Sequence, residues 1–164
     1  MGTVLVGYWT KTGTTEAYAG VLRQVLSSRG HKVDIHPIAQ VGSLDGYDAV
    51  VLGGPINGMR PVPELTAFIT ANAAALASRP TALFMVSYMY GKAGKGWNAA
   101  ILKGTRSAAA AMGAKATVIL PGRIPSKLPG LMRFVFGVPK DLPLDRFDSA
   151  AMEAWAGELA AVLS

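Results

Sequence analysis

The sequence predicts an α/β protein: a three-layer open sandwich around a five-stranded parallel sheet in the order 2-1-3-4-5, with an insertion after strand five. Three observations carry this. Strand-like and helix-like segments alternate five times, which calls for parallel strands joined by right-handed crossovers. The strand segments are short and apolar, as strands buried on both faces must be. At 164 residues, with 51% hydrophobic and 16% charged, the chain has material for one core and is read as a single domain over 1–164.

Residues 3–8 (TVLVGY) are almost unbroken in their apolarity and form the first strand. A threonine-rich turn follows, and a helix begins near Thr15, with Tyr18, Val21, Leu22, Val25 and Leu26 on one side and Arg23, Gln24 and Ser27 on the other. Gly30 ends it. Residues 32–36 alternate as a strand with one wetter face, and residues 49–53 form a third, buried strand. Pro63-Glu64 opens a helix with Leu65, Phe68, Ile69, Ala73 and Leu76 as its apolar stripe. Residues 82–86 are strand four, 97–112 an alanine-rich helix stopped by Gly113, and 116–120 strand five. The last helix starts near Ser149 and gathers Met152, Trp155, Ala156, Leu159 and Leu163 on one face. Between them, residues 121–147 hold five of the ten prolines and no long periodic pattern, although 129–137 can make two helical turns.

Composition removes whole classes of chemistry. Without cysteine there are no disulfides, thiolate metal sites or cysteine nucleophiles. His31 and His36 are too few for most histidine metal centres, and they are read as surface residues; no metal site is expected. No G-x-S-x-G elbow is present, and no apolar run is long enough to span a membrane. The N-terminus has no basic leader, so a cytoplasmic protein is expected. The net charge of +6 is uneven: residues 92–146 hold ten Lys/Arg against two Asp/Glu. No nucleic-acid motif accompanies that charge, so nucleic acid is not an expected partner.

Ligands of an open parallel sheet bind beyond the carboxyl ends of its strands, which selects three loops. The first contains Thr10, Lys11, Thr12, Gly13, Thr14 and Thr15 and runs into a helix. Four hydroxyls and a glycine meet unpaired N–H groups and the positive end of the helix dipole there, a phosphate site by its physics. The plainer alternative is that Thr14 or Thr15 merely caps the helix. Neither the Walker pattern nor the dinucleotide fingerprint is present in this turn.

What remains, T-x-T-G-x-T directly after the first strand, resembles the FMN phosphate loop of the flavodoxin family, with Thr14 where flavodoxins generally have Asn. The resemblance implies FMN as cofactor, and a flavin that carries the redox chemistry with no catalytic side chain. It also implies that Pro55, Ile56, Asn57 and Gly58 flank the isoalloxazine near N5, with Gly58 allowing a peptide rearrangement. Ser87, Tyr88, Met89, Tyr90 and Gly91 would cover the other side, with Tyr88 or Tyr90 stacking and Trp9 or Trp97 as alternatives. Phosphate or sulfate binding by the Gly- and Lys-rich part of that loop is a competing reading. Lys92 and Lys95 stand where flavodoxins often carry acids, so a less negative potential is expected.

Within that superfamily the chain is most similar to the menaquinone-dependent protoporphyrinogen oxidase branch, through its phosphate loop, residues 48–56 and the basic, apolar segment after strand five. That resemblance implies an FMN-dependent oxidoreductase of heme biosynthesis, with porphyrinogen as substrate and a quinone as acceptor. Residues 128–137 would make peripheral contact with the inner face of the membrane. Two alternatives stay open: a non-enzymatic electron carrier docking to a redox partner protein, and a module that binds FMN without redox work.

Overall fold

Alternation of side chains along each strand decides which helices cover which face. The computed structural model describes residues 2–123, 131, 134–135 and 145–164. Its strands are β1 (Thr3–Tyr8), β2 (Lys32–Pro37), β3 (Ala49–Asn57), the two-residue β4 (Arg60–Pro61), β5 (Thr81–Ser87) and β6 (Ala116–Pro121). Its α-helices are α1 (Thr14–Ser28), α2 (Pro63–Ala71), α3 (Ala73–Ala77), α4 (Lys95–Met112) and α5 (Ser149–Val162). The five long strands are parallel in the order β2-β1-β3-β5-β6, the expected topology.

Val4, Val6, Val51 and Phe84 turn to one face, where Tyr18, Leu22 and Leu26 of α1 and Met152, Trp155 and Leu159 of α5 bury them. Trp155 belongs to this core as expected, edge-on to Phe84 at 6.4 Å between ring centroids. Leu5, Val50, Leu52, Leu83 and Met85 turn to the other face, against Leu65, Ile69, Leu76 and Met112. Period-two alternation between two buried faces is what makes these runs look continuously apolar.

Four details depart from the sequence expectation. The stripe from Leu65 to Leu76 is two helices: they break at Asn72 (φ −112°), whose side-chain amide donates to the Phe68 carbonyl at 2.9 Å. No α-helix joins β2 to β3; a 3-10 turn at Ile38–Gln40 and a loop fill that place. The Arg79 guanidinium holds this loop, donating to the carbonyls of Leu44 and Tyr47. His31 is buried rather than on the surface, its Nδ1 facing the Gly2 amide at 3.5 Å, whereas His36 is exposed. Finally, β3 runs on past residue 53 and folds back through Gly58 (φ +68°) into β4, pairing Asn57 with Arg60 and Ile56 with Pro61.

Most of the segment after β6 lies outside the described residues, including most of the two turns expected over 129–137; Leu131, Phe134 and Val135 are helical and exposed. Its two ends are stitched together. The buried Tyr18 hydroxyl donates to the Pro121 carbonyl at 2.5 Å and accepts from the Asp148 amide at 3.0 Å. Phe147 stacks on Tyr18 at 4.4 Å, and Arg123 sits over Phe147 at 5.1 Å. Arg123 and Asp145 pair as an isolated antiparallel bridge.

Candidate functional site

The three loops predicted from sequence converge on one cavity of about 280 Å³ at the carboxyl end of the sheet. From the first loop come Trp9, Thr10, Lys11, Thr12, Thr14 and Thr15. The second contributes Pro55, Ile56 and Asn57, and the third Ser87, Tyr88 and Met89. Val62, Val86, Gly122 and Arg123 complete the wall.

The first loop is folded by its own hydroxyls. Thr10 Oγ1 accepts from the Gly13 amide at 2.9 Å, and the hydroxyls of Thr12 and Thr14 lie 3.2 Å apart. Gly13, at φ +87°, occupies the cap position of α1, and no side chain caps the helix. The capping alternative for Thr14 and Thr15 therefore fails: both are buried in the first turn, and both face the cavity. The amides of Thr14, Thr15 and Glu16 find no carbonyl in this turn, so they are donors awaiting an acceptor.

The third loop turns away from the cavity after Met89. Ser87 Oγ accepts from the Tyr90 amide at 3.2 Å, and Asn98 Oδ1 accepts from the Gly91 amide at 2.9 Å. Tyr88 is buried on the cavity wall, whereas Tyr90, Gly91 and Trp97 do not line it. Of the candidate stacking rings, Tyr88 and Trp9 are the two placed to flank a planar ligand. Gly13 and Gly58 also lie off the wall; each serves by shaping its loop.

The charges differ from the expected ones. Lys92 and Lys95 are exposed and do not reach the cavity. Among the described residues its wall instead carries Lys11 and Arg123 and no carboxylate. Arg123 Nε is buried with no hydrogen-bond partner, and its nearest anion is Asp145 Oδ1 at 3.8 Å. Sequence reading missed Arg123 because it lies just past β6, in a segment whose many lysines and arginines masked the one that turns inward. A usable signal was its place at the end of a strand adjoining β5.

Arg146 braces the third loop. Its guanidinium donates to the Tyr88 carbonyl and lies 6.0 Å from the Tyr88 ring, while its amide donates to the Gly122 carbonyl at 3.2 Å. Gly122 is required by closeness: a Cβ there would stand 3.0 Å from Val86 Cγ1 and 3.3 Å from the Tyr88 amide nitrogen. At the carboxyl end of β1, burial pushes the Tyr8 phenol above its ordinary range, and Glu16 reinforces the shift.

Such a rim is built to hold a flat, phosphate-bearing mononucleotide: free helix amides and hydroxyls for the anion, two aromatic walls for the ring. The chain belongs to the flavodoxin-domain family, which it matches over residues 5–124. FMN is the cofactor of that domain, and the residues present fit it, with the unpaired amides of α1 and the threonine hydroxyls of the first loop supplying donors to an anionic ligand. Solved structures share the fold. A two-electron-reduced flavodoxin of Megasphaera elsdenii is 21% identical with a TM-score of 0.59, the alignment covering 96% of this chain and 98% of that one. An archaeal flavodoxin is 16% identical with a TM-score of 0.60, covering 97% and 96%. The rubredoxin oxygen:oxidoreductase of Desulfovibrio gigas is 13% identical with a TM-score of 0.64; 99% of this chain aligns, but it spans only 35% of that protein. No curated protein matches the sequence. Among the described residues no helix is long and apolar enough to cross a membrane.

Proposed function

We propose that the chain is an FMN-dependent electron-transfer protein that exchanges electrons with a redox partner protein. One observation carries this reading: the cavity at the sheet's carboxyl end joins free helix amides, hydroxyls and two aromatic lining residues with two cations and, among the described residues, no carboxylate. When bound, FMN supplies reversible electron uptake. The chain's own residues bind and tune it. Thr10, Lys11, Thr12, Thr14 and Thr15, on the turn shaped by Gly13, hold the phosphate; Pro55, Ile56, Asn57 and the Gly58 turn flank one ring edge. Ser87, Tyr88 and Met89 cover the opposite side, with Tyr90 and Gly91 fixing that loop from behind. Lys11 and Arg123 favour an anionic reduced ring.

A finer reading, oxidation of a porphyrinogen with a quinone as acceptor, has its own support. Leu131, Phe134 and Val135 are 74%, 81% and 54% exposed and follow i, i+3, i+4 helical spacing, an apolar surface suited to a membrane interface where quinones dissolve. The test comes in two stages. Purified protein titrated with FMN gains a bound-flavin spectrum that dithionite bleaches and air restores; no binding, or a bound flavin that cannot be cycled, overturns the redox reading. Turnover of protoporphyrinogen with menadione then assigns the enzyme, and its absence alongside rapid reduction by a flavodoxin reductase assigns the carrier.

A further inference from the structure

A second cavity, of about 1070 Å³, lies between α2 and α4 on the face of the sheet away from α1. Its walls are Thr66, Ala67 and Thr70 from α2 and Ala100, Gly104 and Ala108 from α4, among others. Small residues on both helices keep their backbones apart from any large side chain, and the space between them stays open. At one point the wall is tight: a Cβ on Gly104 would stand 3.1 Å from the Met59 carbonyl oxygen and 3.2 Å from Pro61 Cδ. Met59, Arg60 and Pro61, which line this cavity, belong to the β3–β4 turn and strand that pair back onto Ile56 and Asn57. Those two residues line the flavin cavity, so a single hairpin forms a wall of both.

Two charged side chains among the described residues line the groove, Arg60 and Lys103, and both are cations. Among the described residues neither has a carboxylate within ion-pair distance, the one ion pair there being Arg123–Asp145. The nearest carboxylate in sequence is Glu64, exposed in the first turn of α2 beside the lining Pro63, and it is not itself part of the wall. An occupant must therefore bring apolar surface and negative charge together. A second copy of this chain is disfavoured on charge, because a two-fold contact through this groove would bring the Arg60 and Lys103 cations of both copies into one interface. The volume sits at the upper end of small-molecule sites.

We propose that this groove binds a small amphipathic carboxylate, its apolar body along the alanine walls of α2 and α4 and its carboxylate between Arg60 and Lys103. The proposal rests on the redox reading only for its consequence, that such a ligand touches the hairpin flanking the flavin; binding itself does not depend on FMN. The probe is 1-pyrenebutyrate, followed by its fluorescence, with the uncharged 1-pyrenebutanol as control, on protein with and without FMN. The expected result is saturable one-to-one binding of the carboxylate, about tenfold tighter than the alcohol and weakened by salt. The Arg60→Gln/Lys103→Gln double variant should lose about tenfold for the carboxylate and nothing for the alcohol. Ala67→Trp, on an exposed lining position, should block both probes while leaving FMN binding intact. Equal affinity for the two probes, or binding indifferent to both variants, overturns the proposal. So does a dimer that Ala67→Trp dissociates, or an acidic helical peptide that binds where the probe does not, since either gives the groove another occupant. Protein that fails to take up FMN but binds pyrenebutyrate refutes the redox reading alone; the converse refutes this site alone.

Discussion

Replacing Arg123 by glutamine removes one of two cations on the flavin cavity while keeping a side chain of similar reach. A volume of about 280 Å³ is that of a sphere roughly 4 Å in radius. A guanidinium in its wall therefore stands about 7 Å from the centre of a bound ring, where a unit charge acts with roughly 2.4 kcal/mol at an effective dielectric of 20 and 0.6 kcal/mol in bulk water. The Arg123 side chain is 36% exposed and Asp145 stands 3.8 Å from its Nε, so screening favours the lower part of that range. About 0.6–1.2 kcal/mol corresponds to roughly 25–50 mV for a one-electron step. The sign is fixed: without the cation an anionic reduced ring is less stable, and the potential becomes more negative. Spectroelectrochemical titration of FMN-loaded protein at neutral pH reads this directly, with Lys92→Gln and Lys95→Gln as controls that should each move the potential by less than about 10 mV, given their distance from the cavity wall and their full solvation. A negligible shift for Arg123→Gln, or a larger one for either lysine, would refute the assignment of the tuning charge.

Thr12→Ala and Thr14→Ala should each weaken FMN about tenfold, one hydrogen bond to a charged group, while riboflavin affinity stays unchanged; isothermal titration with both ligands separates a phosphate contact from loop collapse. Tyr18→Phe strips hydrogen bonds from the Pro121 carbonyl and the Asp148 amide, and should cost about 1–3 kcal/mol in urea unfolding. The Tyr18 phenol is pushed above its ordinary value of 10.0, by burial first. Below about pH 10 both folded and unfolded chains hold the proton; above it the unfolded chain releases first, so stability falls as the solution becomes alkaline, and Tyr18→Phe should flatten that decline in pH-dependent melting curves. Gly53→Ala would place a Cβ 2.0 Å from Phe84 Cζ, and should destabilise by about 3 kcal/mol or leave insoluble protein, as expression and melting would show.

The sheet was legible because its central strands β1, β3 and β5 are buried on both faces and flanked by turns, so their apolar runs could not be mistaken for amphipathic helices. Topology followed from alternation and handedness alone. What escaped reading was decided by contacts distant in sequence. Asn72 breaks a helix whose apolar stripe continues unbroken, because a side-chain amide reaches back four residues to a carbonyl. The loop of 38–48 is held by Arg79, more than thirty residues away, which supplies the Leu44 and Tyr47 carbonyls with donors. His31 looks like a surface residue until the Gly2 amide is found facing it.

The site shows the same division more sharply. The first loop is a local object: hydroxyls, a glycine and a helix start within six residues set its conformation, which is why its turn was legible from the sequence. The polarity of the cavity is not local. Ten cations in residues 92–146 identify a basic region without indicating which of them turns inward. That choice is made by a closure between residues far apart in the chain, in which Tyr18 holds Pro121 and Asp148 together, Phe147 stacks on Tyr18, and Arg123 is laid over Phe147 with its Nε buried. The more obvious lysines, on a loop that Ser87 and Asn98 tie outward, remain in water. Electrostatic tuning here is therefore a tertiary property: a variant that loosens the Tyr18 knot without touching Arg123 should displace the potential in the same direction as Arg123→Gln, because the field at the ring depends on where the knot sets the guanidinium.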